Sequence, residues 1–91
     1  MPVGVMMNIP AGTERQYDEI VAETFPDGKL PEGWAVHISG PTETGWRVIN
    51  VVPSQRDFEI FLREKLIPAA ERVDDPPAEV TFFQVHALIP G

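Results

Sequence analysis

Ninety-one residues with 43% apolar content suffice for one hydrophobic core and are too few for two, so a single domain over residues 1–91 is expected. Fourteen acidic residues against seven basic ones give a net charge of −7, which repels phosphate backbones and anionic lipid and argues against nucleic acid or membrane partners. With no cysteine, disulfides, thiolate nucleophiles and Cys-ligated zinc are excluded together.

The opening run MPVGVMMNIP lacks a basic n-region and is interrupted by Pro2, Gly4 and Pro10. It is read as neither a signal peptide nor a membrane span, and the protein as soluble and cytoplasmic. Val3 to Ile9 is a first strand, closed by Pro10, with Val3, Val5, Met7 and Ile9 on one face and Gly4, Met6 and Asn8 on the other. Thr13 and Gln16 have the spacing of a capping box, so a helix is expected to start there. Tyr17, Ile20, Val21 and Phe25 form its apolar stripe, until Pro26 and Gly28 end the run.

A second strand from Trp34 to about Ser39 and a third from Trp46 to about Val52 are joined by GPTETG, the pattern of a hairpin. Two registers are open. The one that pairs His37 with Asn50 and Ser39 with Val48 segregates polarity and is preferred, because a slip of one residue mixes the two faces. Ser54, three residues before Asp57, is the expected N-cap of a second helix with Phe58, Phe61, Leu62 and Leu66 as its buried stripe. Pro68 is expected to kink or end that helix, with Ala69 to Val73 continuing after a bend. DDPPAE is a linker, and VTFFQVHALIP reads as a last strand reaching Pro90.

The order strand, helix, strand, strand, helix, strand is that of the ferredoxin-like βαββαβ unit, an α+β fold in which both helices cover one face of a four-stranded antiparallel sheet. Strands one and three are then central. The helix-facing side is expected to hold Val3, Val5, Met7 and Ile9, with Val36, Ile38, Ile49, Val51, Phe83, Val85 and Ala87. The opposite face would carry Asn8, His37, Ser39, Asn50, Gln84 and His86 among Met6, Trp46, Val48, Phe82 and Leu88. Leaving those apolar groups wet costs about 25 cal/mol per Å², so a second copy of the same face is the expected cover, giving a homodimer with a partly polar cavity between its sheets.

Within that cavity His37 is the candidate general base, since imidazole titrates near neutrality and can take a phenolic or α-carbonyl proton. The structural alternative is a histidine merely satisfied by Asn50 across the hairpin. Trp46 offers a flat wall to an aromatic ligand, or packs as core. Asn8, Asn50, Ser39 and Gln84 are candidate ligand contacts that orient a carbonyl or stabilise an enolate, and His86 is a further one that equally suits the dimer interface. Two histidines without a strand-facing carboxylate do not make a metal site, so no metal is expected. No Ser-His-Asp order, phosphate loop or dinucleotide fingerprint is present.

The MMNIP opening, the HISGPTETGWRVINVV hairpin with its H-x-x-G-P and G-W-R-V patterns, and the FFQVHALIP end together resemble the dimeric α/β-barrel superfamily. Within it, the likeness is to the small single-domain proteins related to antibiotic-biosynthesis monooxygenases. The resemblance implies a homodimer with one cavity per subunit and chemistry without a bound cofactor: oxygenation, isomerisation or cyclisation of an aromatic or polyketide-like compound. The haem-degrading members use an Asn on the first strand, matched by Asn8, with a Trp and a His on the second helix that Gln55 to Val73 lacks. The quinone-forming members use an Asn, Trp, Tyr and Arg set, whose residue types Asn8 or Asn50, Trp46, Tyr17 and Arg47 supply. The leading expectation is therefore a homodimer that acts on a hydrophobic, oxygenated small molecule. The alternative is a non-catalytic binding or stress-related dimer.

Overall fold

Val5, Met7 and Ile9, buried at every second position, make β1 (Val3–Pro10) a central strand of the sheet, in a computed structural model that describes residues 1–91. It is followed by α1 (Glu14–Thr24), β2 (Val36–Pro41), β3 (Gly45–Val52), α2 (Gln55–Phe61), a π-helical turn (Leu62–Leu66), α3 (Ile67–Arg72) and β4 (Glu79–Gln84). All pairings are antiparallel and the strand order is β2-β3-β1-β4, so strands one and three are central as expected. No helix is long and apolar enough to cross a membrane.

Local chemistry fixes the helix starts. Thr13 Oγ1 accepts from the Gln16 backbone N–H at 3.2 Å while Gln16 Oε1 accepts from the Thr13 N–H at 3.2 Å, a complete capping box. Ser54 Oγ accepts from the Asp57 N–H at 3.1 Å and caps α2. Pro68 does not end the second helical run, which passes from the π-helical turn into α3. A proline has no N–H and its ring crowds the carbonyl four residues back, here that of Glu64. The helix accommodates this by widening, with the Ile67 N–H bonding to Leu62 O, five residues back, before the α-helical pattern resumes in α3.

The hairpin has the register that pairs His37 with Asn50 and Ser39 with Val48. Its orientation is the reverse of the expected one. β1 pairs Val5 with Asn50, Met7 with Val48 and Ile9 with Trp46, so the face with Trp46, Val48, Asn50 and His37 is the one that meets the helices. Residues opposite one another share a face. The same rule turns Val80 and Phe82 inward, and leaves Val36, Ile38, Ile49, Val51 and Phe83 on the outer face. Phe58 and Phe61 of α2 close the core over Val5 and Val52 of the sheet, with the rings of Trp34 and Phe82 against Phe58. β4 stops at Gln84, because its only partner is β1 and that ladder ends at Val3. One further backbone bond, from the Val85 N–H to Pro2 O at 3.0 Å, finishes the edge.

Candidate functional site

Three polar side chains from three elements meet under α1. His37 and Asn50 are brought face to face by the β2–β3 register, and the inward stripe of α1 delivers Tyr17. Asn50 Oδ1 stands 2.6 Å from His37 Nδ1, and Tyr17 Oη stands 2.5 Å from His37 Nε2. An amide oxygen only accepts, so Nδ1 carries the proton; in the neutral imidazole Nε2 then offers its lone pair to the Tyr17 hydroxyl. The result is a directed line, Tyr17 O–H to His37 to Asn50, in which Asn50, only 3% exposed, fixes the tautomer as an orienting third group does in catalytic triads. The Phe25 ring meets His37 edge to face at 5.5 Å, and Trp46 packs on Tyr17 at 5.4 Å. These rings pack around the line, which is partly buried.

The line opens into a cavity of about 370 Å³ between the sheet and the helices of a single chain. That volume lies within the range of small-molecule sites. Its walls are mostly apolar: Met7, Ile9 and Val48 from the sheet, Ile20 from α1, Leu62 and Leu66 from the π-helical turn. A π-helical turn pushes an extra residue out of the helical repeat, and here it presents two leucines to the cavity. The Trp46 indole N–H is buried without a hydrogen-bond partner, an unpaired donor in the cavity wall. The wall also includes Glu71 and Asp75, and burial pushes the Asp75 carboxyl above its ordinary value. No three His, Cys, Asp or Glu side chains stand together as a metal site would require.

Of the residues singled out in the sequence, His37, Trp46 and Asn50 come together here. The others do not. Asn8 lies on the outer face, where its Oδ1 accepts from Arg47 Nε at 2.6 Å. This takes both Asn8 and Arg47 away from the cavity. Ser39 follows His37 by two residues and shares its face, but lies exposed toward the end of β2 and away from the cavity. Gln84 is exposed at the end of β4, and His86 lies beyond the sheet, since β1 offers no residue to pair with it. The cavity itself belongs to the sheet–helix layer of a single chain rather than to a space between two sheets. Tyr17 and Asp75 were not among the site residues read from the sequence. Tyr17 sat in plain view as the only hydroxyl-bearing aromatic on the α1 stripe; Asp75 is positioned by a backbone motif that carries no side-chain pattern.

No family model and no curated protein matches the sequence. Among solved structures, a mutant form of SnoaB, a cofactor-independent oxygenase from Streptomyces nogalater, superposes with a TM-score of 0.65 at 16% identity. The alignment covers 99% of this chain and 97% of that one. The chain has the ferredoxin-like fold of this oxygenase. A second SnoaB structure gives a TM-score of 0.64 at 17% identity, over 99% of this chain and 97% of the other. A Deinococcus radiodurans protein, proposed to be an antibiotic-biosynthesis monooxygenase, gives 0.62 at 9%, with the same coverage of both chains. The ferredoxin-like βαββαβ fold expected from the order of elements is thus the fold found.

Proposed function

We propose that the chain is a cofactor-independent monooxygenase acting on a phenolic, largely apolar aromatic compound held in the sheet–helix cavity. The observation that carries this reading is the Tyr17–His37–Asn50 line at the wall of an apolar chamber. A phenol seated against Tyr17 passes its proton to the tyrosine oxygen as the tyrosine proton moves to His37 Nε2, and Asn50 steadies the imidazolium through Nδ1. The phenolate left behind is electron-rich and reacts with dioxygen. In the net reaction a ring carbon gains one oxygen atom; the other leaves in water with the phenolic and the ring hydrogen, and the phenol becomes a quinone. The fold shared with a cofactor-independent oxygenase supports this choice of chemistry over others.

An oxygen electrode with a panel of naphthols and anthrones tests it. The expected result is uptake of one dioxygen per quinone formed, without added flavin, haem or metal. Compounds that bind without oxygen uptake would instead identify a non-catalytic binding module. A specific observation favours that second reading: both ring nitrogens of His37 are already engaged by protein partners.

The working unit is proposed to be a homodimer, in the cytoplasm, with neither nucleic acid nor membrane as a partner. The outer sheet face supports the dimer, because Ile38 and Phe83 are 57% and 53% exposed there, beside Met6, Ile49 and Val51. A contiguous apolar face of this kind is costly in water, and a second copy is its simplest cover. The absence of cysteine suits a reducing compartment.

A further inference from the structure

The cavity is one-sided in charge. Its carboxylates are Glu71, in the last turn of α3, and Asp75, in the linker to β4, while none of the chain's seven Lys and Arg residues lines it. Asp75 is placed there by the way α3 ends. Asp74 takes a left-handed conformation at φ 53°, its N–H bonds to Glu71 O at 3.3 Å, and the Asp75 N–H bonds to Ala70 O at 2.9 Å. This is a Schellman closure, and Pro76 and Pro77 after it prevent the helix from resuming. Gln16 Nε2 then fastens the closure to α1, donating to Val73 O at 3.3 Å and to Asp74 O at 3.2 Å. The Asp75 carboxylate is thereby held at the cavity with no ion-pair partner in the chain.

We propose that the cavity selects an aromatic ligand bearing a basic amine, with the ligand's hydroxyl at Tyr17 and its ammonium at Asp75 and Glu71. The proposal rests on the sheet–helix cavity being the ligand site. Tyr17, Glu71 and Asp75 all line that one cavity, Tyr17 from α1 and the two acids from the end of α3 and the linker that Gln16 fastens to α1. An ammonium at the linker gains the partly buried Asp75 carboxylate, where charge interactions are stronger than in open water, with the exposed Glu71 beside it in the cavity wall. A carboxylate or phosphate placed there meets like charge and finds no guanidinium, because Arg47 is turned to the outer face. Burial without a counter-charge also accounts for the raised titration of Asp75.

The test is isothermal titration of the full chain with three naphthols that differ only in an aminoethyl, an ethyl or a carboxyethyl chain. The aminoethyl compound is expected to bind at least about tenfold tighter than the carboxyethyl one, with the neutral compound between them. Asp75→Asn and Glu71→Gln should each narrow that spread while leaving the ethyl compound's affinity unchanged. Equal binding of all three, or a spread unaltered in both variants, would overturn the amine assignment while leaving the cavity reading intact. If none of the three binds, the cavity reading fails and the amine assignment with it.

Discussion

Tyr17 and His37 come from different layers of the fold, yet the tyrosine oxygen lies 2.5 Å from His37 Nε2. One residue stands on the inward stripe of α1 and the other on the edge strand β2. Because the opposite ring nitrogen is held by the buried Asn50, the imidazole cannot turn without losing both bonds. Both ring nitrogens being engaged, the proposed mechanism takes the substrate proton through the tyrosine oxygen rather than directly by the histidine.

Tyr17→Phe separates chemistry from folding. Removing the hydroxyl deletes one hydrogen bond and should cost about 1 kcal/mol of stability in chemical denaturation. Oxygen uptake should fall about a hundredfold or more, the scale of general acid–base contributions. His37→Ala should cost more stability, about 1–3 kcal/mol, since it leaves the Asn50 amide buried and unpaired. A Tyr17→Phe variant with full turnover would remove the tyrosine from the mechanism.

Asp75 gives a pH signature. Its carboxyl holds its proton more tightly when folded than at the ordinary value of 3.8. Between the unfolded and folded values the native state therefore binds more protons, and this group's effect on stability becomes less favourable as pH rises through that window. Asp75→Asn should thus gain stability relative to the parent protein as pH climbs above about 3.8, measured as the difference between two denaturation series. A gain that shrinks with rising pH would contradict the burial of this carboxylate.

The outer face can be tested without touching the cavity. Sedimentation should give about 20 kDa, twice the 10.1 kDa of the chain. Ile38→Asp, which buries a charge in the proposed interface, should shift the species to monomer with little loss of the monomer's own fold. A monomeric parent at micromolar concentration would dispose of the homodimer.

Gly45 tests the link between β1 and β3. A Cβ at this position would meet Ile9 O and stand 2.6 Å from the Ala11 backbone nitrogen, atoms that cannot swing aside. Gly45→Ala should lower stability by about 1–3 kcal/mol in urea denaturation. An unchanged midpoint would mean that the Pro10–Gly12 turn yields more readily than its packing implies.

Much of the architecture was legible from residues. The Thr13–Gln16 box, the Ser54 cap, the βαββαβ order and the His37–Asn50 register follow from local chemistry and from segregation of polarity along the hairpin. The orientation of the hairpin did not follow, for a physical reason. Val36, Ile38, Ile49 and Val51 are as apolar as a helix-facing set should be, yet they lie outside, while the inner face carries His37 and Asn50. A sheet that is apolar on both faces defeats a rule that sends the more apolar face inward, and a cavity is what lets polar groups sit in the core. Gln84 and His86 were misplaced by the early end of β4, Ser39 by its exposed position toward the end of β2, and Asn8 by that same reversal. Asn50 and Trp46 survived it because they share a face with His37 whichever way the hairpin turns.

The most direct measurement is a crystal structure of the protein grown with a simple naphthol. The account requires the ligand inside one subunit, between the sheet and the Leu62–Leu66 turn, with its hydroxyl about 2.6–3.2 Å from Tyr17 Oη. An empty cavity, with ligand bound on the outer face around Ile38 and Phe83 or nowhere, would contradict it.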